Sequence, residues 1–287
     1  VEELYVLEGR ELVRNRIDTL LGPGLNLRRH PLNGRNFEYF SEDPLITGAF
    51  AAACVRGIKR GGSTATIKHF ACNNQEKNRT KVDAVVSERA LRELYLKGFE
   101  IAVKEGGANA VMTAYNPVNG FWTASCYDLN TTILRGEWKF EGIVMTDWWA
   151  MMNDPVVGGE PSRTNTGAMV RAQNDLYMVV PSFGAETNAM EDNTLECLAA
   201  GKLTRGELQR SAMNICRFLM QVPAFFRKQD FETEPSVAIR PAAAAPEGGA
   251  RIVEIGDEAF VRPEDGAAVV LHVREGGAFR VAGRFRA

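Results

Sequence analysis

The sequence has few of the features that direct a chain to a membrane, a nucleic acid or a metal. No apolar stretch reaches the roughly 18 residues of a membrane-spanning helix, and a formal net charge of −2 provides no basic surface for nucleic acid. Only 3 histidines and 5 cysteines occur, and no two cysteines form a CxxC pair. We therefore expect no metal and no cofactor, and neither a membrane nor a nucleic acid as partner.

The cysteines and the start of the chain bear on its compartment. An odd number of dispersed cysteines fits free thiols better than a disulfide framework, and free thiols favour a reducing compartment such as the cytoplasm. The chain starts at Val1-Glu2-Glu3 without an initiating methionine or a basic segment. We interpret this start as the interior of a longer chain, so the localisation stays unknown and export is left open.

Five short apolar segments are typical of buried parallel strands. They lie around residues 20–21, 67–70, 110–115, 143–146 and 175–179, and polar or small residues follow each one. A length of 287 residues with 45% hydrophobic composition suits one large domain and a smaller piece. The rhythm of strand, loop and helix predicts an α/β fold of the TIM-type (β/α) barrel class over residues 1–225.

Two helices between the strands have readable ends. Ser87 is expected to cap a helix that runs to Glu105, before Gly106 and Gly107. Its apolar stripe comprises Leu91, Leu94, Tyr95, Ile101 and Ala102. Thr204 and Glu207 form a capping box for a second helix, whose inner face is predicted to carry Leu208, Ala212, Ile215 and Leu219.

The composition changes after Met220. Residues 226–250 are rich in proline, alanine and glycine and are typical of a linker. From 251 to 287, alternating apolar residues separated by glycine-rich turns predict about three short antiparallel strands. Three such strands bury too little to be stable alone, so they are expected to be the start of a small β-rich domain.

The run Gly142–Trp149 is the most informative part of the sequence. Three apolar β-formers lead directly to Thr146, Asp147 and two tryptophans. An aspartate at the carboxyl end of a parallel strand points into the crevice where α/β enzymes bind their ligands. A carboxylate beside an indole suits a sugar, because the ring covers an apolar sugar face. The alternative is that Asp147 caps the next helix and that the tryptophans are core.

Other polar residues fall at the ends of the same strands. Arg35 lies in the loop after the first strand, Lys68 and His69 end the second, and Tyr115 ends the third. Each has a purely structural alternative: a surface ion pair of Arg35 with Glu38, a core histidine, and a core tyrosine. Because neighbouring strand residues point to opposite faces, Lys68 and His69 share a ligand only if the strand ends or bulges there.

Five segments together resemble glycoside hydrolase family 3, the β-glucosidase type. They are GPGLN at 22–26, GRNFEYFSEDP at 34–44, KHFACNNQE at 68–76, AYNPVNG at 114–120 and MTDWWA at 145–150. The resemblance extends over about residues 5 to 220. It implies hydrolysis of β-glycosidic bonds at the non-reducing end of a β-glucoside or oligosaccharide, with Asp147 as the nucleophile of a retaining enzyme. It further implies that Arg35, Lys68 and His69 bind sugar hydroxyls, that Tyr115 lies near the nucleophile and that Trp148 borders the site.

The sequence also departs from the family pattern. The usual first part of the barrel is absent, so the barrel is expected to be incomplete. The sandwich domain that often supplies the acid/base glutamate is absent too. We expect this glutamate to come from the remainder of a parent chain in which the two domains follow in reverse order, or from a second subunit. Glu38 and Glu76 are expected to be structural. A homo-oligomer is one option for the oligomeric state.

Three alternatives of function remain open at this point. The first is a β-xylosidase, because glucose and xylose cannot be distinguished here. The second is a β-N-acetylhexosaminidase, which is disfavoured because Lys68-His69-Phe70 is followed by Ala71-Cys72 rather than by Pro-Gly. The third is a sugar-binding or structural fragment without catalytic activity.

Overall fold

The computed structural model describes residues 1–179, 188, 190–226 and two short strands at 236–237 and 270–271. The chain divides into two compact units, Val1–Arg227 and Lys228–Ala287. Apart from Phe226 and those two strands, the expected linker and β-rich segment lie outside the described residues. The two strands pair in parallel, one from the expected linker and one from the expected β-rich segment.

The first unit alternates helices with strands and loops. Its helices are α1 (Glu2–Arg14), α2 (Pro44–Gly61), α3 (Glu88–Ala90), α4 (Lys97–Lys104), α5 (Thr166–Arg171), α6 (Thr194–Ala199), α7 (Arg205–Gln221) and α8 (Pro223–Phe226), with π-helical segments at Leu91–Tyr95 and Asp128–Glu137 and a 3₁₀ turn at Thr123–Ser125. The strands among the described residues are β1 (Thr19–Leu20), β2 (Thr64–Phe70), β3 (Ala110–Thr113), β4 (Pro117–Val118), β5 (Phe121–Trp122), β6 (Ile143–Met145), β7 (Met152–Asp154), β8 (Gly158–Ser162), β9 (Ser236–Val237) and β10 (Val270–Leu271).

A parallel sheet of order β1-β2-β3-β6 forms the centre of this unit. All residues of β3 and β6 are buried, and in β2 only Lys68 is partly exposed, as expected for strands with both faces covered. α2 and α4 pack on one face, where Ile58, Ile67 and Phe99 are fully buried. The sheet is part of a TIM-like (β/α) fold, and the barrel does not close within the described residues.

The segment predicted as a fifth strand, 175–179, makes only one bridge to the sheet, between Met145 and Leu176. The reason lies in the side chain of Asp175. Its Oδ2 accepts the N–H of Val144 at 3.0 Å and the guanidinium of Arg135 at 2.5 Å. The side chain therefore takes the Val144 N–H, while the backbone N–H groups of Asp175 and Leu176 donate to Val144 O. The segment follows the edge of β6 without forming a regular ladder.

The two predicted helix starts are present. Ser87 accepts the N–H of Ala90, and Thr204 and Glu207 form the reciprocal capping box. The first helix is interrupted by the π-helical segment Leu91–Tyr95, whose wider turns shift the buried face, so that Leu94 is 38% exposed.

The predicted inner face of α7 is half correct: Leu208 and Ile215 pack against the core, whereas Ala212 and Leu219 are exposed. The buried residues of the helix are Ser211, Asn214 and Phe218. Ser211 and Asn214 are buried because they donate to Asp175 Oδ1 at 3.2 and 2.9 Å. These polar contacts rotate α7 away from the orientation that its apolar periodicity predicts.

Candidate active site

The carboxyl ends of three neighbouring strands meet at one place. His69 lies at the end of β2, Tyr115 follows β3 by two residues, and Asp147 follows β6 by two residues. His69 Nε2 lies 3.5 Å from Asp147 Oδ2, and the Tyr115 hydroxyl interacts with the same carboxylate. The parallel order of the strands therefore brings these three side chains together.

The end of β2 is irregular where Lys68 and His69 occur. The pairing of β2 with β3 changes register between Ile67 and Phe70. Asn26 fixes this backbone, since its side chain donates to His69 O and accepts the His69 N–H, both at 2.9 Å. Lys68 and His69 were expected to share a ligand only if the strand ends or bulges at these residues, and this change of register is such an irregularity.

Asp147 is only 5% exposed, and its two oxygens differ. Oδ1 accepts the N–H of Trp148 at 2.8 Å, while Oδ2 has no hydrogen-bond partner among the described residues. Burial raises the pKa of the carboxyl, and the Trp148 N–H, the Tyr115 hydroxyl and the charge of Arg35 oppose this rise. One oxygen is thus held in place, and the other is buried near His69 Nε2 without a hydrogen bond.

His69 is neutral at physiological pH. Its side chain is 2% exposed, and burial lowers its pKa well below the usual range, with further lowering by the positive charges of Arg35 and Lys68. Its Nδ1 lies 3.4 Å from the hydroxyl of Tyr39. A neutral imidazole can donate a hydrogen bond to a sugar oxygen without adding charge to the site.

Arg35 and Lys68 are held by one carboxylate. Arg35 Nε lies 2.5 Å from Glu38 Oε1, and Lys68 Nζ lies 3.5 Å from Glu38 Oε2. Burial acts to raise the pKa of Glu38, but the two cations reverse this effect and lower it. The side chains are 15 to 21% exposed, so this is a recessed ion pair and not the surface pair considered from the sequence.

Arg79 was not identified from the sequence. Its guanidinium carbon lies 4.8 Å from the ring centroid of Tyr115, and its NH1 binds Glu76 at 2.7 Å. Its charge also contributes to lowering the pKa of Asp147 and of His69. Arg79 stands in a polar loop with other charged residues, and no spacing in that loop distinguishes it from a solvated side chain.

A cavity of about 920 Å³ includes Tyr115 and Trp148 in its lining, whereas Asp147, Arg35, Lys68 and His69 do not line it. The described residues that line it are Arg79, Thr80, Lys81, Tyr115, Trp122, Trp148, Trp149, Met151, Glu160, Pro161 and Arg163. Tyr115 and Trp148 belong both to this cavity and to the surroundings of the carboxylate. A pocket of this size with aromatic walls can hold a ligand larger than one sugar ring.

A buried carboxylate, donor-only cations and indole rings at the end of a parallel sheet are the groups expected of a sugar site in an α/β fold. The family model described as glycosyl hydrolase family 3 N terminal domain matches residues 1–218. The chain therefore belongs to glycosyl hydrolase family 3.

Relatives of known sequence and structure agree with this assignment. The chain is 54% identical to a β-glucosidase of Ruminococcus albus over 248 residues, and this alignment covers 86% of this chain and 26% of that protein. It is 68% identical to the solved β-glucosidase of Paenibacillus barengoltzii, with a TM-score of 0.77 over 85% of this chain and 26% of the other. For β-glucosidase 3B of Thermotoga neapolitana in complex with α-D-glucose, the identity is 41% and the TM-score 0.68, over 78% of this chain and 30% of the other. The chain thus spans about a quarter of the length of the curated relatives that it matches.

Proposed function

We propose that the protein containing this chain hydrolyses β-glucosidic bonds with retention of configuration and that Asp147 is its nucleophile. The observation that carries the proposal is the asymmetry of the Asp147 carboxylate, which has Oδ1 bound to the Trp148 N–H and Oδ2 without a partner among the described residues. The β-glucosidase relatives from Ruminococcus albus and Paenibacillus barengoltzii support the choice of reaction.

In the first step, Oδ2 of Asp147 forms a bond to the anomeric carbon while the bond to the aglycone oxygen breaks. That oxygen receives a proton from an acid, and a covalent glycosyl-enzyme results. In the second step, the conjugate base removes a proton from water, which attacks the anomeric carbon and releases Asp147 as a carboxylate. Binding of Oδ1 by the backbone keeps the attacking oxygen oriented throughout.

The groups around Asp147 are suited to a pyranose. Arg35 and Lys68 carry only donors, which match sugar hydroxyls, and His69 adds a neutral ring. Trp148 offers an apolar ring face to the apolar face of the sugar. The related β-glucosidase 3B of Thermotoga neapolitana, solved with α-D-glucose, supports the assignment of this region as a glucose subsite.

The acid/base is proposed to come from the rest of the parent chain or from a second subunit. Glu38 is bound to Arg35 and Lys68 and has a lowered pKa, which is the reverse of what a general acid needs. Glu76 is bound to Arg79. Since the relatives are about four times as long as the matching part, they have ample chain to provide this group.

The proposal is tested on the full-length protein with Asp147→Asn. Loss of a nucleophile lowers turnover by roughly four orders of magnitude, so hydrolysis of 4-nitrophenyl β-glucoside should be almost abolished. Asp128→Asn is the matched control, because Asp128 is exposed and, within the described structure, its side chain accepts a hydrogen bond from Thr132 alone. A 2-deoxy-2-fluoro-glucoside should label the peptide that contains Asp147, and a label elsewhere would refute the assignment.

Cleavage of α-L-arabinopyranosides is a second candidate activity, and one relative supports it. The chain is 40% identical over 205 residues to an exo-α-(1→6)-L-arabinopyranosidase of Bifidobacterium breve. The same nucleophile would serve either glycone, so the comparison of kcat/KM for 4-nitrophenyl β-D-glucoside and α-L-arabinopyranoside decides between them. A β-N-acetylhexosaminidase gains no such support, because His30 is exposed and its Nδ1 accepts only the Leu32 N–H within the described structure, while His272 lies outside it.

A further inference from the structure

The cavity lined by Tyr115 and Trp148 combines aromatic walls with unpaired charge. Lys81, Arg163 and Glu160 line it and are exposed, and their side chains make no hydrogen bond or ion pair within the described part of the chain. Two cations against one carboxylate leave an excess of positive charge. The indole rings at the same cavity are those of Trp122, Trp148 and Trp149.

Arg79 does not add to this excess, because Glu76 binds it at 2.7 Å and its guanidinium lies over Tyr115. The charge available to a ligand therefore sits on Lys81 and Arg163, both exposed. Tyr115 and Trp148 line the cavity and also act on Asp147, which does not line it. A leaving group that extends from a sugar at Asp147 past these two rings would enter this cavity.

Trp149 gives a second indication that this wall is built for a ligand. Its backbone φ is +51°, in the left-handed region that bulky residues rarely adopt. The conformation is held by a hydrogen bond from the Trp149 N–H to Met178 O at 3.0 Å. It leaves a tryptophan that lines the cavity and remains 39% exposed. Strained backbone of this kind concentrates at binding sites.

We infer that this cavity selects aglycones in which an aromatic ring carries a carboxylate. The ring stacks on the tryptophans, and the carboxylate lies between Lys81 and Arg163, whose donors suit it. The inference rests on the proposed function, because the aglycone is the group that leaves from the sugar bound at Asp147. Glu160 lines the same cavity and repels the carboxylate, but the two cations outnumber it and so disfavour cationic aglycones.

The selectivity should be modest and sensitive to salt. Ion pairs between exposed groups change an equilibrium by a factor of about 1.5 to 5 each. Two such contacts together give a preference of roughly threefold to tenfold for the charged aglycone. Screening shortens the reach of these charges to about 4 Å at 0.5 M salt, so sodium chloride should reduce the preference.

The experiment compares two substrates on the full-length protein, 4-carboxyphenyl and 4-carbamoylphenyl β-glucoside. The quantity measured is the ratio of their kcat/KM values, and comparison of variant with wild type cancels the difference in leaving-group reactivity. The ratio should fall roughly threefold to tenfold in the double variant Lys81→Gln/Arg163→Gln, and less in either single variant. Lys59→Gln is the matched control, since Lys59 is exposed near the end of α2 and does not line the cavity.

A direct binding measurement separates this inference from the proposed function. Tryptophan fluorescence of full-length Asp147→Asn is titrated with 4-hydroxybenzoate and with 4-hydroxybenzamide, and the benzoate should bind more tightly. Equal binding together with an unchanged ratio overturns the inference, while hydrolysis of the neutral glucoside leaves the proposed function standing. If neither glucoside is hydrolysed, the proposed function fails and the titration alone decides whether the cavity prefers the carboxylate.

Discussion

Replacement of Tyr115 by phenylalanine should separate the two chemical steps. The Tyr115 hydroxyl interacts with Asp147 and helps to lower the pKa of that carboxyl. Burial, and the adjacent charge of Asp147, raise the pKa of Tyr115 to about 12, so the phenol stays a neutral donor throughout an assay. Asp147 loses its charge when the glycosyl-enzyme forms and regains it when that intermediate is hydrolysed. The donor therefore assists the second step more than the first.

The Tyr115 hydroxyl acts on the Asp147 carboxylate without a short hydrogen bond to it, so one hydrogen bond to a charged acceptor is the upper limit of the effect. Such a bond contributes about 1.5 to 3 kcal/mol, and the lower value is appropriate because Tyr115 is only half-buried. A loss of about 1.5 kcal/mol slows a step roughly tenfold. Tyr115→Phe should thus lower the rate of deglycosylation about tenfold, with a smaller loss in kcat/KM and a fall in KM.

Pre-steady-state kinetics with 2,4-dinitrophenyl β-glucoside measure this directly. The variant should release a burst of one dinitrophenol per active site, followed by a slow steady state, because the glycosyl-enzyme accumulates. The acidic limb of the kcat/KM profile should also move to higher pH, since removal of the donor raises the pKa of Asp147. Tyr127→Phe, at an exposed position, is the control. An equal loss in kcat and kcat/KM without a burst would refute the reasoning.

Two further substitutions test other parts of the structure. Glu38→Gln should lower kcat/KM roughly tenfold and raise KM, because Arg35 and Lys68 lose the carboxylate that holds both of them. The expected loss of binding free energy is about 1 to 2 kcal/mol. Kinetics equal to those of the wild type would contradict this role of Glu38. Thr204→Ala removes the capping box of α7 and should cost about 1 kcal/mol of stability in denaturant unfolding. Since Thr204 is not placed at the site, kcat/KM should not change, and a loss of activity without a loss of stability would contradict a capping role.

The sequence predicted the parts of this fold that depend on burial. Apolar runs identified β2, β3 and β6, because a parallel strand with both faces covered must be apolar throughout. Asp147 stood out for the same reason, since a charged residue directly after such a run has to lie at the edge of the sheet. The sequence did not predict whether β2 bulges at Lys68 and His69. Such an irregularity depends on long-range contacts, such as the hydrogen bonds of Asn26 with His69.

What could not be predicted depended on long-range polar contacts. Asp175 lies in an apolar segment that looks like a strand, yet it bonds to Arg135 and to α7, 36 to 40 residues away in sequence. The same carboxylate decides which face of α7 is buried. Arg79 was missed for a related reason: its importance comes from the Tyr115 ring that it covers, and local sequence carries no trace of that contact.

The arrangement of charge explains how a nucleophile can exist in so buried a site. Each arginine near Asp147 has its own glutamate, Arg35 with Glu38 and Arg79 with Glu76. Their fields still reach Asp147 and oppose the rise in pKa that burial causes.

Because the glutamates hold the cations in place, no arginine or lysine forms a direct ion pair with Asp147 among the described residues. The cations consequently offset part of the rise in pKa that burial causes, without a direct contact that neutralises the carboxylate. Its free oxygen can then meet the positive charge that develops at the anomeric carbon. Glu38→Gln would release Arg35 toward Asp147, and the resulting ion pair would lower the reactivity of the very group that it stabilises.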